Sequence, residues 1–166
     1  MAALEAGVVA PDFTLPTVDG KQVSLAGALQ RGPVLIAFFK VSCPVCQYAF
    51  PYFERLHQAN GDGNVTVIGV SQDNLKKAKE FMREYGVTFP MAIDDDSRHY
   101  PVSNAYGLTN VPTLFLISPS GEIELSSVGW SKVDVSEVNE RLARYRNQSP
   151  GPIWRPGESV QEFRGG

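Results

Sequence analysis

The stretch Val34-Leu35-Ile36-Ala37-Phe38-Phe39-Lys40-Val41-Ser42-Cys43-Pro44-Val45-Cys46 decides how this chain folds. Its first six residues are apolar without a break, the pattern of a strand covered on both faces. Its last four are Cys-x-x-Cys and contain the only two cysteines of the 166 residues. Gln47 to His57 reads as a helix, so the cysteines lie at a strand-to-helix junction. Two thiols one helical turn apart can close into a disulfide. The free N–H groups and positive dipole end of a helix N-terminus also favour a thiolate there.

The competing assignment for the pair is a zinc site, which needs two further Cys or His ligands. The chain offers only His57 and His99, and His57 lies far along the same helix, facing away. Redox chemistry is therefore expected, with no metal and no cofactor.

Bulk composition narrows the remaining classes. A chain of 166 residues, 43% hydrophobic and 20% charged, fits one globular domain with a short appendage. A domain of this length buries roughly two-thirds of its unfolded surface. A net charge of −3 gives no electrostatic case for a nucleic-acid or membrane partner. Two cysteines cannot build a disulfide scaffold. No apolar stretch approaches the roughly 18 residues of a membrane span. Met1 to Pro11 lacks a basic start, and Glu5 interrupts its apolar run, so no signal peptide is read. The expectation is a cytoplasmic protein as given; a chain trimmed of an export leader would look identical.

Working outward, Asp12 to Leu15 and Gln22 to Leu25 flank Asp19-Gly20, a hairpin signal. Arg31-Gly32-Pro33 turns into the strand Val34 to Phe39. The helix after the cysteines runs to about Ala59 and carries Pro51, which should kink it. A loop is expected over 60–64, then a strand from Val65 to Ser71. Asp73 or Asn74 can cap a helix over Leu75 to Tyr85 that ends at Gly86. A short strand from Phe89 to Ile93 follows, then a helical turn near Val102 to Tyr106. Thr113 to Ser118 and Glu122 to Val128 form a hairpin around Pro119-Ser120-Gly121. Ser136 to Arg146 reads as an amphipathic helix with Val138, Leu142 and Tyr145 on one face. The domain is thus placed at 1–146, with an irregular tail at 147–166 rich in Pro and Gly. In that tail Ile153, Trp154 and Phe163 are apolar enough to dock on a surface. The βαβ order implies parallel central strands, and the closing hairpin adds an antiparallel edge.

Four features together resemble the thioredoxin superfamily, and more narrowly its TlpA/ResA-like, AhpC/TSA-related branch. They are Ala10-Pro-Asp-Phe-Thr-Leu15 with Asp19-Gly-Lys21, the stretch Phe38 to Cys46, Pro51 five residues beyond the second Cys, and Val111-Pro112-Thr113 before an apolar strand. Pro119-Ser120-Gly121 is similar to the family's hairpin turn. The resemblance covers about residues 8 to 146. It implies a thioredoxin-like three-layer α/β/α sandwich with a mixed central sheet and an N-terminal β-hairpin.

The resemblance also implies a thiol-disulfide oxidoreductase. Cys43, at the helix start, would attack a substrate disulfide, and the more buried Cys46 would resolve the mixed disulfide. A cis Val111-Pro112 bond would present the Val111 backbone to an extended substrate segment. Pro44 suits the first helical position, and Pro44 and Val45 set the redox poise without offering a charge. Lys40 can stabilise the Cys43 thiolate electrostatically, or be a solvated lysine at a strand end. Ser42 stands where thioredoxins commonly carry tryptophan. Ala37 and Ala49 stand where thioredoxin carries an aspartate and ResA-like proteins a glutamate, so Cys46 lacks the usual proton acceptor. Slower resolution is expected in consequence.

Expected partners are a disulfide- or thiol-bearing protein or small molecule and a thiol reductant. The alternative is a peroxiredoxin-type thiol peroxidase with Cys43 peroxidatic and Cys46 resolving. Its Pro-x-x-x-Thr-x-x-Cys pattern fails here at Ile36 and Lys40. A copper chaperone would need Cys-x-x-x-Cys. Asp94-Asp95-Asp96 is read as a helix-capping loop, His57 and His99 as surface residues, and Tyr48, Phe50, Tyr52 and Phe53 as a helix face packed on the sheet.

Overall fold

The computed structural model describes residues 2–61 and 64–166. The loop expected over 60–64 therefore lies partly outside the described residues. Strands β1 (Thr14–Pro16) and β2 (Gln22–Ser24) pair antiparallel as the N-terminal hairpin. Helix α1 (Leu25–Leu29) follows at once, where the sequence suggested that the strand would continue to Leu25. Ser24 turns the chain by accepting from the Gly27 N–H as an N-cap, and Leu25 and Ala28 are thereby buried.

The central sheet contains β3 (Val34–Phe39), β4 (Thr66–Ser71), β5 (Met91–Ile93), β6 (Thr113–Ile117) and β7 (Ile123–Val128). Its order is β5-β4-β3-β6-β7, with β3, β4 and β5 parallel and β6 and β7 antiparallel. The unbroken apolar runs have a direct reason. Leu35, Ala37 and Phe39 enter one core, while Val34, Ile36 and Phe38 enter the other. The first core is covered by α2 (Pro44–Asn60), α3 (Leu75–Tyr85) and α5 (Lys132–Tyr145). The second is covered by the hairpin, α1 and α4 (Pro101–Ala105). This is the three-layer α/β/α sandwich that the sequence implied.

Local chemistry accounts for the boundaries. Asn74 caps α3 by accepting from Lys77 N–H, and Gly86 ends it at φ 69°, a left-handed position that favours glycine. Helix α5 begins four residues before the expected Ser136, because the Ser131 hydroxyl accepts from Asp134 N–H. Val138 and Leu142 are buried as expected, but Tyr145 is exposed and donates its hydroxyl to Glu124 at 2.7 Å. Pro51 is accommodated within the continuous 17-residue helix α2. No helix among the described residues is long and apolar enough to cross a membrane.

Residues 147–166 pack along α2 and past the end of the sheet. Ile153 is buried, and Trp154 is half-buried against Tyr52 and Trp130. Arg55 grips Glu158 with two bonds of 2.7 Å and donates to the Ile153 carbonyl. The segment ends in β9 (Phe163–Arg164), antiparallel to β8 (Trp130–Ser131). Phe163 does not dock as a side chain, being 64% exposed.

The Arg55 bonds, and secondly the Arg155 amide, hold the Glu158 carboxyl at about 2 against its ordinary 4.5. A depressed carboxyl contributes stability above its unfolded value and loses that contribution as pH falls through its folded value. Docking of this segment is therefore expected to loosen between pH 4.5 and about 2. Tryptophan fluorescence should change over that window as Trp154 leaves Tyr52. Glu158→Gln should lack that component, and an identical acid transition in the variant would refute the assignment.

Candidate active site

The loop between β3 and α2 places Cys43 at the N-cap of the helix, with Pro44 at the first helical position. The Cys43 sulfur accepts from the Cys46 N–H at 3.2 Å, using one of the amides that has no helical partner. The Cys43 thiol also lies 3.4 Å from the Val111 carbonyl, 68 residues away in sequence. Neither cysteine forms a disulfide. Cys43 is half-buried, whereas Cys46 is 0% exposed.

Cys46 sits in the core that includes Ala37 and Ala49, both fully buried. Burial pushes its thiol above the ordinary value of 9.0, and its hydrogen bond to Cys43 adds to the shift. A backbone hydrogen bond at Lys40 opposes this, and the nearby Asp73 charge reinforces it. The two sulfurs are thus inequivalent: one faces a cleft at a helix end, and the other lies behind it in an apolar environment.

Asp73 does not cap α3. Its carboxylate accepts from the Val41 N–H at 2.8 Å, and Gln47 donates to the Val41 carbonyl at 2.9 Å. These bonds clamp the turn that precedes Cys43, a role that no local sequence signal marks. Lys40 and Ser42 are exposed, Pro44 is exposed, and Val45 is buried against the core.

The Val111–Pro112 peptide bond is cis. It immediately precedes β6, which is antiparallel to β3, so the pairing brings this loop back beside the cysteines. Val111 is half-buried and Pro112 is buried. Cys43, Lys40, Gln72, Tyr100, Asn110 and Val111 are among the residues lining a cleft of about 410 Å³. Tyr100 reaches it from a left-handed backbone position, φ 52°, at the start of α4. The sequence reading brought together the two cysteines, Lys40 and the Val111-Pro112 loop; it did not include Gln72, Tyr100 or Asn110.

Asp94 belongs to the scaffold. It is 1% exposed and accepts from the Val102 and Ser103 N–H groups and from the Ser103 hydroxyl, which holds the start of α4. Asp95 caps the 3-10 turn Asp96–Arg98. Asp94→Ala should leave two amides and a hydroxyl unpaired and cost about 2 kcal/mol of stability. Denaturant unfolding checks this, and a loss under about 0.5 kcal/mol, as for an ordinary surface change, would contradict it. His99 is exposed as expected. His57 is not a surface residue: it is half-buried edge-on against Phe89, and its Nδ1 has no partner. Among the described residues, no three of His, Cys, Asp and Glu group to hold a metal.

Known proteins are similar to this chain in sequence and fold. The AhpC/TSA family model matches residues 6–126. The thiol-disulfide oxidoreductase ResA of Bacillus subtilis is 32% identical over 122 residues, covering 73% of this chain and 66% of that protein. The ResA of Geobacillus thermodenitrificans is 31% identical over 142 residues, covering 84% of this chain and 79% of that protein. Among solved structures, the thioredoxin domain of a Bacteroides vulgatus thiol-disulfide oxidoreductase superposes with a TM-score of 0.74 at 25% identity, covering 84% and 98% of the two chains. A thiol:disulfide interchange protein from Bacteroides sp. shares the fold, with a TM-score of 0.72 at 24% identity over 85% of this chain and 91% of that one. With the family model spanning most of its length and the paired cysteines at the strand-to-helix junction, this chain belongs to the AhpC/TSA family, on its ResA-like thiol-disulfide oxidoreductase branch.

Proposed function

We propose that this oxidoreductase cycles a Cys43–Cys46 dithiol and disulfide, with Cys43 as the nucleophile and Cys46 as the resolving thiol. The observation that carries this reading is the inequivalence of the two sulfurs. Cys43 lies at the helix N-cap on the cleft, and Cys46 is buried one turn behind it.

The reaction runs in two exchanges. The Cys43 thiolate attacks one sulfur of a substrate disulfide; that bond breaks, one substrate thiolate leaves, and a mixed disulfide forms. Cys46 then loses its proton and attacks the Cys43 sulfur. The second substrate thiolate leaves, the Cys43–Cys46 disulfide forms, and the substrate has gained two electrons. A thiol reductant returns two electrons to reset the dithiol. The Val111 backbone beside Cys43 supports a role in aligning the incoming disulfide. Pro44 supports the helix start, and Lys40 places a cation on the cleft.

The partners under this reading are a disulfide-bearing protein or small molecule and a thiol reductant. Dithiothreitol-driven reduction of insulin or of a small disulfide tests it directly. Turnover is expected with both thiols intact. Absence of turnover, combined with hydrogen peroxide oxidising Cys43 orders of magnitude faster than free cysteine, would replace it with a peroxidase.

A further inference from the structure

The segment that ends the described chain runs across the substrate-facing side of this site. Phe163 and Arg164 pair with Trp130 and Ser131, and Lys132 N–H extends the ladder to the Glu162 carbonyl at 2.9 Å. Asn110 then donates to the Gly166 carbonyl at 3.0 Å. Gly166 lies so close to Val111 that a Cβ there would stand 2.3 Å from the Val111 carbonyl oxygen. Gly129 shows the same closeness, since a Cβ on it would meet the Arg164 carbonyl at 2.6 Å. Only glycine backbones allow the two stretches to approach this closely. The Val111 carbonyl is where an extended substrate segment would pair, and Gly166, at the end of the stretch that pairs with β8, stands against it.

Cys43 is half-buried and keeps part of its surface on the cleft. The cleft of about 410 Å³ reaches the sulfur past Lys40, Gln72 and Tyr100, and Gly166 forms only one border of it. We infer that residues 162–166 are a strap over the protein-docking edge, so that small polar disulfides reach Cys43 with the strap closed while extended protein segments require its release. The inference rests on the disulfide-exchange reading above and specifies its substrate class.

The strap is built for release. Its ladder is two residues long, and its one large apolar side chain, Phe163, is 64% exposed, so little burial holds it. Arg164 adds a cation–π contact over Tyr48 at 5.3 Å. The firm anchor lies earlier, where Gln161 accepts from Trp130 Nε1 at 2.7 Å and donates its N–H to the Tyr48 hydroxyl at 3.0 Å. A chain ended at Gln161 keeps that anchor and loses the strap.

The test compares the full chain, the chain ended at Gln161, and full-length Gly166→Val, whose new side chain cannot fit against Val111. Each is assayed with insulin and with 2-hydroxyethyl disulfide. Both altered proteins should reduce insulin about tenfold faster, the factor expected when a strap closed about nine-tenths of the time is removed. Their rates with 2-hydroxyethyl disulfide should be unchanged. If insulin reduction is unchanged or slower, or if both substrates accelerate equally, the strap does not select substrates and the inference falls. If no form reduces either disulfide, the exchange reading fails and the inference with it. Should the shortened chain not fold, the Gly166→Val comparison decides alone.

Discussion

Cys43→Ser is expected to abolish disulfide reduction, and Cys46→Ser is expected to stop the cycle one step later, with substrate trapped on Cys43. The serine hydroxyl does not ionise near neutral pH, so no nucleophile remains at the cleft in the first variant. In the second, the attacking sulfur is intact and only the resolving one is gone. Mass spectrometry after mixing Cys46→Ser with a small disulfide should show one adduct per chain, at Cys43. The outcome that would sink the assignment is the mirror image: a stable adduct on Cys46 in Cys43→Ser, or turnover in either single variant.

The wild-type pH dependence follows from the same geometry. Burial holds the Cys46 thiol above its ordinary 9.0, so its thiolate is scarce across the working range. Below its pKa, each unit of pH multiplies the thiolate about tenfold. Resolution of the mixed disulfide should therefore rise about tenfold per pH unit between pH 7 and 9, where resolution limits turnover. Ala37 and Ala49 stand in the core around Cys46 without offering a proton acceptor, and Asp73 disfavours its ionisation. A plateau well below pH 8 would show that another group takes the proton.

The second large effect concerns Trp130. It is the largest of the fully buried side chains, and it packs on Tyr48, Tyr52, Phe53 and Trp154 while donating to the Gln161 carbonyl. Trp130→Ala is expected to cost about 3–5 kcal/mol, the range for removing a large aromatic from a core. Against a total stability of about 5–15 kcal/mol, that is a third or more for many domains. It should also loosen residues 154–166, because Trp130 contacts Trp154 and bonds Gln161 directly. Denaturant unfolding measures the first effect, and proteolysis in that segment measures the second. Trp154→Ala, at a half-buried position, should cost less. A Trp130→Ala loss under about 1 kcal/mol, the size of an average substitution, would mean that this aromatic cluster does not hold the helix and tail together.

The legible features were those encoded in neighbouring residues. The run Val34–Phe39 announces a strand covered on both faces because every position needs an apolar partner, and both cores supply them. Gly86 and Asn74 mark the ends of α3 through capping, which acts over a few residues. Cys43 and Cys46 were legible as a site because their spacing and the helix start are both local.

By itself, then, the sequence determined the mixed sheet, the ends of α3 and the dithiol, all written in periodicity, capping and turn chemistry over short spans. The resemblance had placed the Val111-Pro112 loop beside that dithiol, and the tertiary structure decided which other distant groups meet it and how each is brought there. Asp73 was legible as a helix cap yet clamps Val41, because the parallel pairing of β3 and β4 brings their ends together. Val111 reaches Cys43 because β6 runs antiparallel to β3. Trp130 gave no periodic signal, and residues 162–166 read as irregular; their place follows from the surface that α2 and β8 leave uncovered. Such pairings depend on what the rest of the chain has already buried, and no local window of sequence contains that information.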